Sequence, residues 1–218
     1  SFNINSAELA ELKHLWQQAK NGQISKARLS KLQDPTMRSL LTWRALKEGK
    51  HDFATISKFI TVHPDWPDLD KLKSKAEYAI DDKTPDSELL RWFKHHSPVT
   101  SRGKRIYAEK QLEHCLVHHE GKTSSCASMV KQIWQEVEFS AKQEQEFRSK
   151  YSKILTSQDD QARLRHFIWQ ENWAEVKRLL PRVNRNLQQV YRLCIGLAES
   201  GKFDRKLYEL IPNQYRGQ

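Results

Sequence analysis

The sequence has little of what punctuates or cross-links a fold. Its 218 residues include only seven glycines, seven prolines and three cysteines. Cys115, Cys126 and Cys194 are too few for a disulfide framework and too irregularly spaced for a zinc site. No apolar run approaches the ~18 residues of a membrane-crossing helix, and Ser1–Lys20 contains no secretory h-region. No segment alternates apolar and polar residues over a strand's length, which argues against sheet. A Gly-rich phosphate loop, a nucleophile elbow and a glycosidase pair of carboxylates are all missing. There is no low-complexity tract and no linker-like run. An initiator methionine is missing too, so the expectation is a mature or trimmed chain whose signal peptide has been removed.

What the chain does have is charge and helical periodicity. Lys and Arg number 37 against 27 Asp and Glu, a formal charge of +10, with a pI near 9.5. That excess suits an anionic partner such as nucleic acid, acidic lipid or an anionic cell-wall polymer. Acidic residues interleave almost everywhere, so solvated helix faces are the simpler reading. Hydrophobic content of 38% is low for a compact globule but ordinary for stacked amphipathic helices, each exposing a polar face.

The stretch Tyr151–Pro181 shows the pattern best. Thr156 with Asp159 forms a T-x-x-D capping signal, and Leu164, Phe167 and Ile168 follow at helical spacing. Asn172 with Glu175 starts a second helix, striped by Trp173, Val176, Leu179 and Leu180, and Pro181 stops it. This reads as an antiparallel helical hairpin. Elsewhere, Ser6–Lys20 and Gln23–Lys31 read as helices around Asn21-Gly22. Asp34-Pro35 opens a helix that runs through Leu41 and Leu46 to Gly49. Phe53, Ile56, Phe59 and Ile60 make a stripe ended by His63-Pro64, and Leu69, Leu72, Ala76 and Ala79 continue after Pro67. Thr84-Pro85 opens a helix through Leu89, Trp92 and Phe93; Thr100–His119 is a longer one. After Gly121 comes a stripe of Cys126, Met129, Val130, Ile133, Trp134 and Val137. Ser140 with Gln143 caps the helix leading to Tyr151, Leu187–Leu197 forms another that closes at Gly201, and a short one spans Leu207–Ile211. The expected fold is all-α: ~12 helices in hairpins of ~30–40 residues, stacked as one superhelical domain over residues 1–218, an α-solenoid in the style of TPR arrays.

Candidate chemistry is sparse. His114 and His118 stand at the i, i+4 spacing that lets two imidazoles share a metal, with Cys115, His119 and Glu120 nearby. No third distant ligand is identifiable, and histidines near a helix C-terminus are favoured by the dipole; no metal site is assigned. Lys71, Lys73 and Lys75, then Arg102, Lys104 and Arg105, form basic groups without the interleaved aromatics of single-strand binders, so nucleic acid is disfavoured. Of the seven tryptophans, those on helix stripes, such as Trp134 and Trp173, are read as packing residues, and Trp169 is expected to pack inside its hairpin. Alanine at Trp169 or Trp173 is expected to cost ~3–5 kcal/mol. Trp66, between Pro64 and Pro67, is read as a wedge between repeats. Cys115 and Cys126 flank the turn at Gly121 on facing helices; a disulfide and two buried thiols are both open.

Three blocks resemble the α-superhelical region of soluble lytic murein transglycosylases. The first, at Phe59–Ile80, has F-x-x-x-HPDWP-x-x-x-x-L-x-x-x-AE. The second, at Trp92–Glu109, has WF, then P-x-T-x-x-G-x-x-x-YAE. The third comprises Leu155, Thr156, Asp159, Arg163, Leu164, Trp169, Ala174, Arg178, Leu179, Leu180 and Pro181, with Asp160 where the family usually has histidine. The blocks follow the family's order and cover roughly Leu40–Pro212. The resemblance implies a periplasmic protein acting on peptidoglycan without a cofactor. The family cleaves between N-acetylmuramic acid and N-acetylglucosamine, leaving a 1,6-anhydromuramoyl end, with one glutamate acting as acid and then base. That glutamate belongs to a Glu-Ser pair in a lysozyme-like domain, expected here beyond residue 218. Glu199-Ser200 closes a helical repeat instead and is read as coincidental, so no catalytic residue is assigned and the substrate-binding residues are left open. The partners implied are glycan strands and the chain's own catalytic domain. The competing expectation is a stand-alone helical-repeat scaffold that holds a protein or RNA.

Overall fold

Short polar residues start most of the helices, because their side chains satisfy amide groups that the first turn leaves bare. In the computed structural model, which describes residues 5–210, Asn5 Oδ1 accepts from Glu8 N at 2.8 Å. Asp34 Oδ1 accepts from Thr36 N at 2.9 Å, with Pro35 in the first turn, and Asp52 Oδ1 from Thr55 N at 2.8 Å. Among the described residues the chain is all-helical, without strands. Contacts divide it into two compact units, Ser1–Gly103 and Lys104–Gln218.

The first unit comprises α1 (Ser6–Lys20), α2 (Lys26–Leu29), α3 (Pro35–Glu48), α4 (Phe53–Val62), α5 (Leu69–Ala79) and α6 (Asp86–His95). α2 is shorter than its periodicity suggests because Ser25 caps it late, accepting from Arg28 N at 3.4 Å. Thr84 does not cap α6; its hydroxyl accepts from Asp81 N at 3.1 Å. α1 packs on α3 through Leu15, Ala19, Leu41 and Ala45. Beside them Gly22, at φ +77°, lies so close to Gly49 that a Cβ would overlap its Cα, which fixes glycine there.

α7 (Ser101–His118) begins at the end of the first unit and runs into the second. The second unit continues with a 3-10 turn (Thr123–Cys126), α8 (Ala127–Glu136), α9 (Ala141–Lys150), α10 (Ser157–Trp169), α11 (Trp173–Leu179), another 3-10 turn (Leu180–Arg182), α12 (Arg185–Glu199) and α13 (Arg205–Leu210). Pro181 lies in the second 3-10 turn, directly after α11. Ile211 and Pro212, read as the end of the last helix, lie outside the described residues. Ser140 and Gln143 cap α9 reciprocally. α10 packs on both α8 and α11, and Val130, Trp134, Leu164, Ile168, Val176 and Leu179 have no exposed surface.

Cys115 and Cys126 are joined by a disulfide, their Cα atoms 6.2 Å apart. The bridge closes a loop of roughly a dozen residues over Gly121, a restraint contributing up to ~3 kcal/mol. Cys194 is free and buried, and burial pushes its thiol up to about 11. Thiol titration of the unreduced protein in denaturant is therefore expected to return one reactive group, and none quickly in the native state. Three reactive groups in denaturant would mean that the bridge does not form.

Candidate functional site

Local sequence dictates the HPDWP turn. α4 ends at His63, whose amide donates to Phe59 O at 2.9 Å, and Pro64 cannot continue the helix. Trp66 packs edge-on against Phe59 at 5.6 Å and His63 at 5.2 Å, and tilted on Trp43 of α3 at 6.0 Å. Trp43 Nε1 donates to Pro67 O at 2.9 Å. Lys47 sits 4.3 Å over the Trp43 ring and pairs with Asp68 at 2.6 Å. Asp68 holds a left-handed φ of 58°. Trp66 thus ties the α4–α5 joint to α3, and its half-buried ring is committed to packing.

A second joint rests on Glu77, near the end of α5 and almost fully buried. Its carboxylate accepts from Val99 N at 2.9 Å, Thr100 N at 2.8 Å and Thr100 Oγ1 at 2.7 Å, just ahead of α7. That is where a helix start carries bare amides and positive dipole, so the buried charge is matched. Gly103, one turn into α7, leaves room for the carboxylate; a Cβ there would overlap Glu77 Oε1 and Cδ. Arg102 donates to Ile80 O at 2.6 Å and closes the same joint.

The third joint is a buried polar network in the second unit. Arg163 of α10 is fully buried. Nη1 donates to Trp134 O at 2.5 Å and Val137 O at 2.7 Å; Nη2 donates to Glu144 at 3.1 Å and Glu175 at 3.0 Å. Its guanidinium lies 4.5 Å from the Trp134 ring centroid and 4.7 Å from that of Phe167, and burial lowers its pKa against the pull of both carboxylates. One turn earlier, Asp160 takes a bidentate Arg148 at 2.9 and 3.1 Å and Trp134 Nε1 at 3.0 Å. Asp159 accepts from Thr156 N at 2.8 Å, Lys131 at 2.8 Å and Gln135 at 3.0 Å. Burial works against its charge, but Lys131 and the other donors hold its pKa below the usual range.

Glu175 titrates unusually in this network. Burial first, and then the neighbouring Glu144 carboxyl, push it up to about 7, against the attraction of Arg163 and Arg178; Arg178 Nη2 lies 2.5 Å from its carboxylate. A carboxyl raised in the folded state favours folding while protonated. That contribution is complete below the ordinary value of 4.5 and is lost as pH rises through about 7. Urea unfolding is expected to show the protein up to ~3 kcal/mol less stable at pH 8 than at pH 5 from this group. Glu175→Gln should flatten that difference; an identical profile in the variant would assign the slope to other groups.

Residues singled out from the sequence fall in dispersed places. Glu199 is exposed and pairs with Lys177 at 2.8 Å. Of the His114 group, Cys115 is in the disulfide, and His118 and His119 meet edge to face at 5.0 Å. Among the described residues no three His, Cys, Asp or Glu are placed to hold a metal ion. The basic groups divide: Lys75 donates to Gly49 O at 3.0 Å and Arg105 pairs with Glu109 at 3.1 Å, while Lys71 and Lys104 are exposed. Trp134 is buried, whereas Trp169, expected inside the hairpin, is 44% exposed beneath Arg205 at 5.3 Å. It lies at the last position of α10 and turns outward beside Glu171, which has φ 54°. Trp169→Ala is therefore expected to cost under ~1 kcal/mol. Trp173→Ala should cost roughly 2 kcal/mol, because that half-buried ring packs on Phe203 at 4.8 Å. Equal losses in urea unfolding would contradict this ranking.

The sequence did not single out Glu144, Arg148 or Glu77's acceptor role, since charged residues on amphipathic helices read as solvated. The Glu175-x-x-Arg178 spacing was the one local sign of pairing. Comparison with protein families, characterised proteins and solved structures found no match for this chain.

Proposed function

We propose that the chain is the non-catalytic superhelical region of a periplasmic lytic transglycosylase, a stack of helical hairpins that holds peptidoglycan beside a catalytic domain. One observation supports this reading above others: several of the polar and turn residues carrying the family resemblance make helix joints. Trp66 and Pro67 of HPDWP tie α4–α5 to α3. Glu77 closes onto Thr100 beside Gly103, and Thr156, Asp159 and Arg163 anchor α10. The formal charge of +10 is compatible with an anionic polymer.

Such a region contributes remote binding. It holds the strand and raises its local concentration at a tethered catalytic site. Cleavage of the glycosidic bond needs a carboxyl of raised pKa in a groove beside the scissile oxygen. Glu199 is exposed and engaged by a lysine, so it does not meet that requirement. Glu175 has a raised pKa but is sealed beneath Arg163 and Arg178.

The test is co-sedimentation with purified peptidoglycan sacculi, followed by mass spectrometry of the soluble fraction. Binding at about 0.05 M salt that is lost by about 0.5 M is the expected result, with no anhydromuropeptides released. Failure to pellet at low salt would remove the reading. Anhydro products abolished by Glu199→Gln would make this chain itself the enzyme. Reading the encoding gene past the Gln218 codon separates the alternatives: a lysozyme-like segment is expected, and a stop codon there would favour a stand-alone scaffold.

A further inference from the structure

Between α4 and α6, in the first unit, lies an open groove of about 430 Å³, within the size range of ligand sites. Its walls are unevenly charged. Lys58 on α4 and Arg91, His95 and His96 at the α6 end face a single acid, Glu88. Arg28, Arg44 and Lys47 of the same unit all pair with carboxylates; Lys58 and Arg91 have no such partner among the described residues. Two cations that line one groove without ion partners favour an anion entering from solvent. His96 is half-buried at the groove, and burial first, then Lys73 and His95, hold its pKa below the ordinary histidine value.

The groove's shape narrows the class of anion. Ser57 and Thr61 on the α4 wall spend their hydroxyl protons on Ala54 O and Ser57 O, which leaves the cations to hold an anion, and Val62, 60% exposed, gives an apolar patch at the end of α4. Phe53 and Trp92 meet edge to face at 5.6 Å and are both buried, so neither ring offers an open face on which a pyranose or a base would stack. The Trp92 indole N–H, although buried, meets no acceptor among the described residues. From Phe53 to Val62 the α4 wall is about 13 Å long, the reach of roughly four residues of extended chain.

We propose that the α4–α6 groove binds a short acidic peptide segment, its carboxylates held by Lys58 and Arg91 and one apolar side chain covered by Val62. The inference rests on the groove alone and stands apart from the cell-wall reading. Exposed cations at a rim steer association and set salt dependence, so binding is weak and falls with ionic strength.

The probe is a C-amidated pentapeptide of four glutamates around one leucine, labelled with fluorescein at its N-terminus and titrated by anisotropy against the full chain. Saturable binding is expected, weakened about tenfold or more by Lys58→Glu with Arg91→Glu, as loss of one or two charge contacts requires. Both positions are exposed, so the circular dichroism should be unchanged, and Arg91→Ala should give an intermediate loss. Lys142→Glu with Lys153→Glu makes the same charge change in the other unit and should leave affinity within about twofold. The His96 ring resonances should shift during the titration. Equal weakening by both double variants would reduce the effect to overall charge and overturn the site. Absence of saturable binding would overturn it as well, and so would an oligothymidylate of equal charge binding as tightly.

Discussion

Arg163→Met is expected to lower the stability of the Lys104–Gln218 unit by ~3–5 kcal/mol, the loss typical of breaking a buried ion pair. The argument is about what stays behind. Glu144 and Glu175 remain buried without the guanidinium between them, and the Trp134 and Val137 carbonyls lose their donor. Each stranded group costs its desolvation, while methionine restores only the packing against the Trp134 and Phe167 rings. Changing Glu144 and Glu175 to leucine in the same chain should recover much of the loss, because an apolar replacement of a whole buried cluster is often neutral or better. Arg178, whose side chain is partly exposed, can then turn to solvent. Urea unfolding followed by tryptophan fluorescence reads both effects. A single-variant loss under ~1 kcal/mol would show that the network contributes little.

That network also marks where sequence reading stops. Helix existence was legible because Leu164, Phe167, Ile168 and Val176 recur at helical spacing and all are buried. Starts were legible where a capping side chain accepts locally, as at Asp34, Ser140 and Asn172. The joints were legible only as fragments. Glu77 and Gly103 are 26 residues apart by numbering, and nothing local says that one carboxylate fills the space the other residue vacates. Arg163, Glu144 and Glu175 come from α10, α9 and α11, so their pairing is a tertiary fact. On a helix, a buried arginine and a solvated one present the same letter. Trp169 was misplaced for a different reason: five positions after Leu164 it lies about 140° round the helix from the apolar stripe, at the final residue of α10. The groove between α4 and α6 was out of reach too, since it depends on which surfaces two non-consecutive helices leave apart.

In the Ser1–Gly103 unit the largest effects should come from the Glu77 joint, and they should be coupled. Glu77→Ala removes the acceptor for Val99 N, Thr100 N and Thr100 Oγ1 together, for a loss of ~3–4 kcal/mol, since bonds to a charged group are worth more than neutral ones. Gly103→Ala should also destabilise, by ~2–3 kcal/mol, although alanine is by itself worth up to ~1 kcal/mol more than glycine in a helix. The sign reverses because the added methyl overlaps the Glu77 carboxyl, and that carboxyl is pinned by its three donors and cannot swing aside. If so, the two losses do not add. With Glu77 already alanine, the space beside residue 103 is open, so the second substitution should cost nothing or recover part of the propensity gain. The double variant should therefore be at least ~1 kcal/mol more stable than the sum of the singles predicts. Urea unfolding of the four proteins closes the cycle, and hydrogen exchange at the Val99 and Thr100 amides should rise in both singles. Additive losses, or a Gly103→Ala protein as stable as wild type, would show that the carboxyl and the glycine do not share this space.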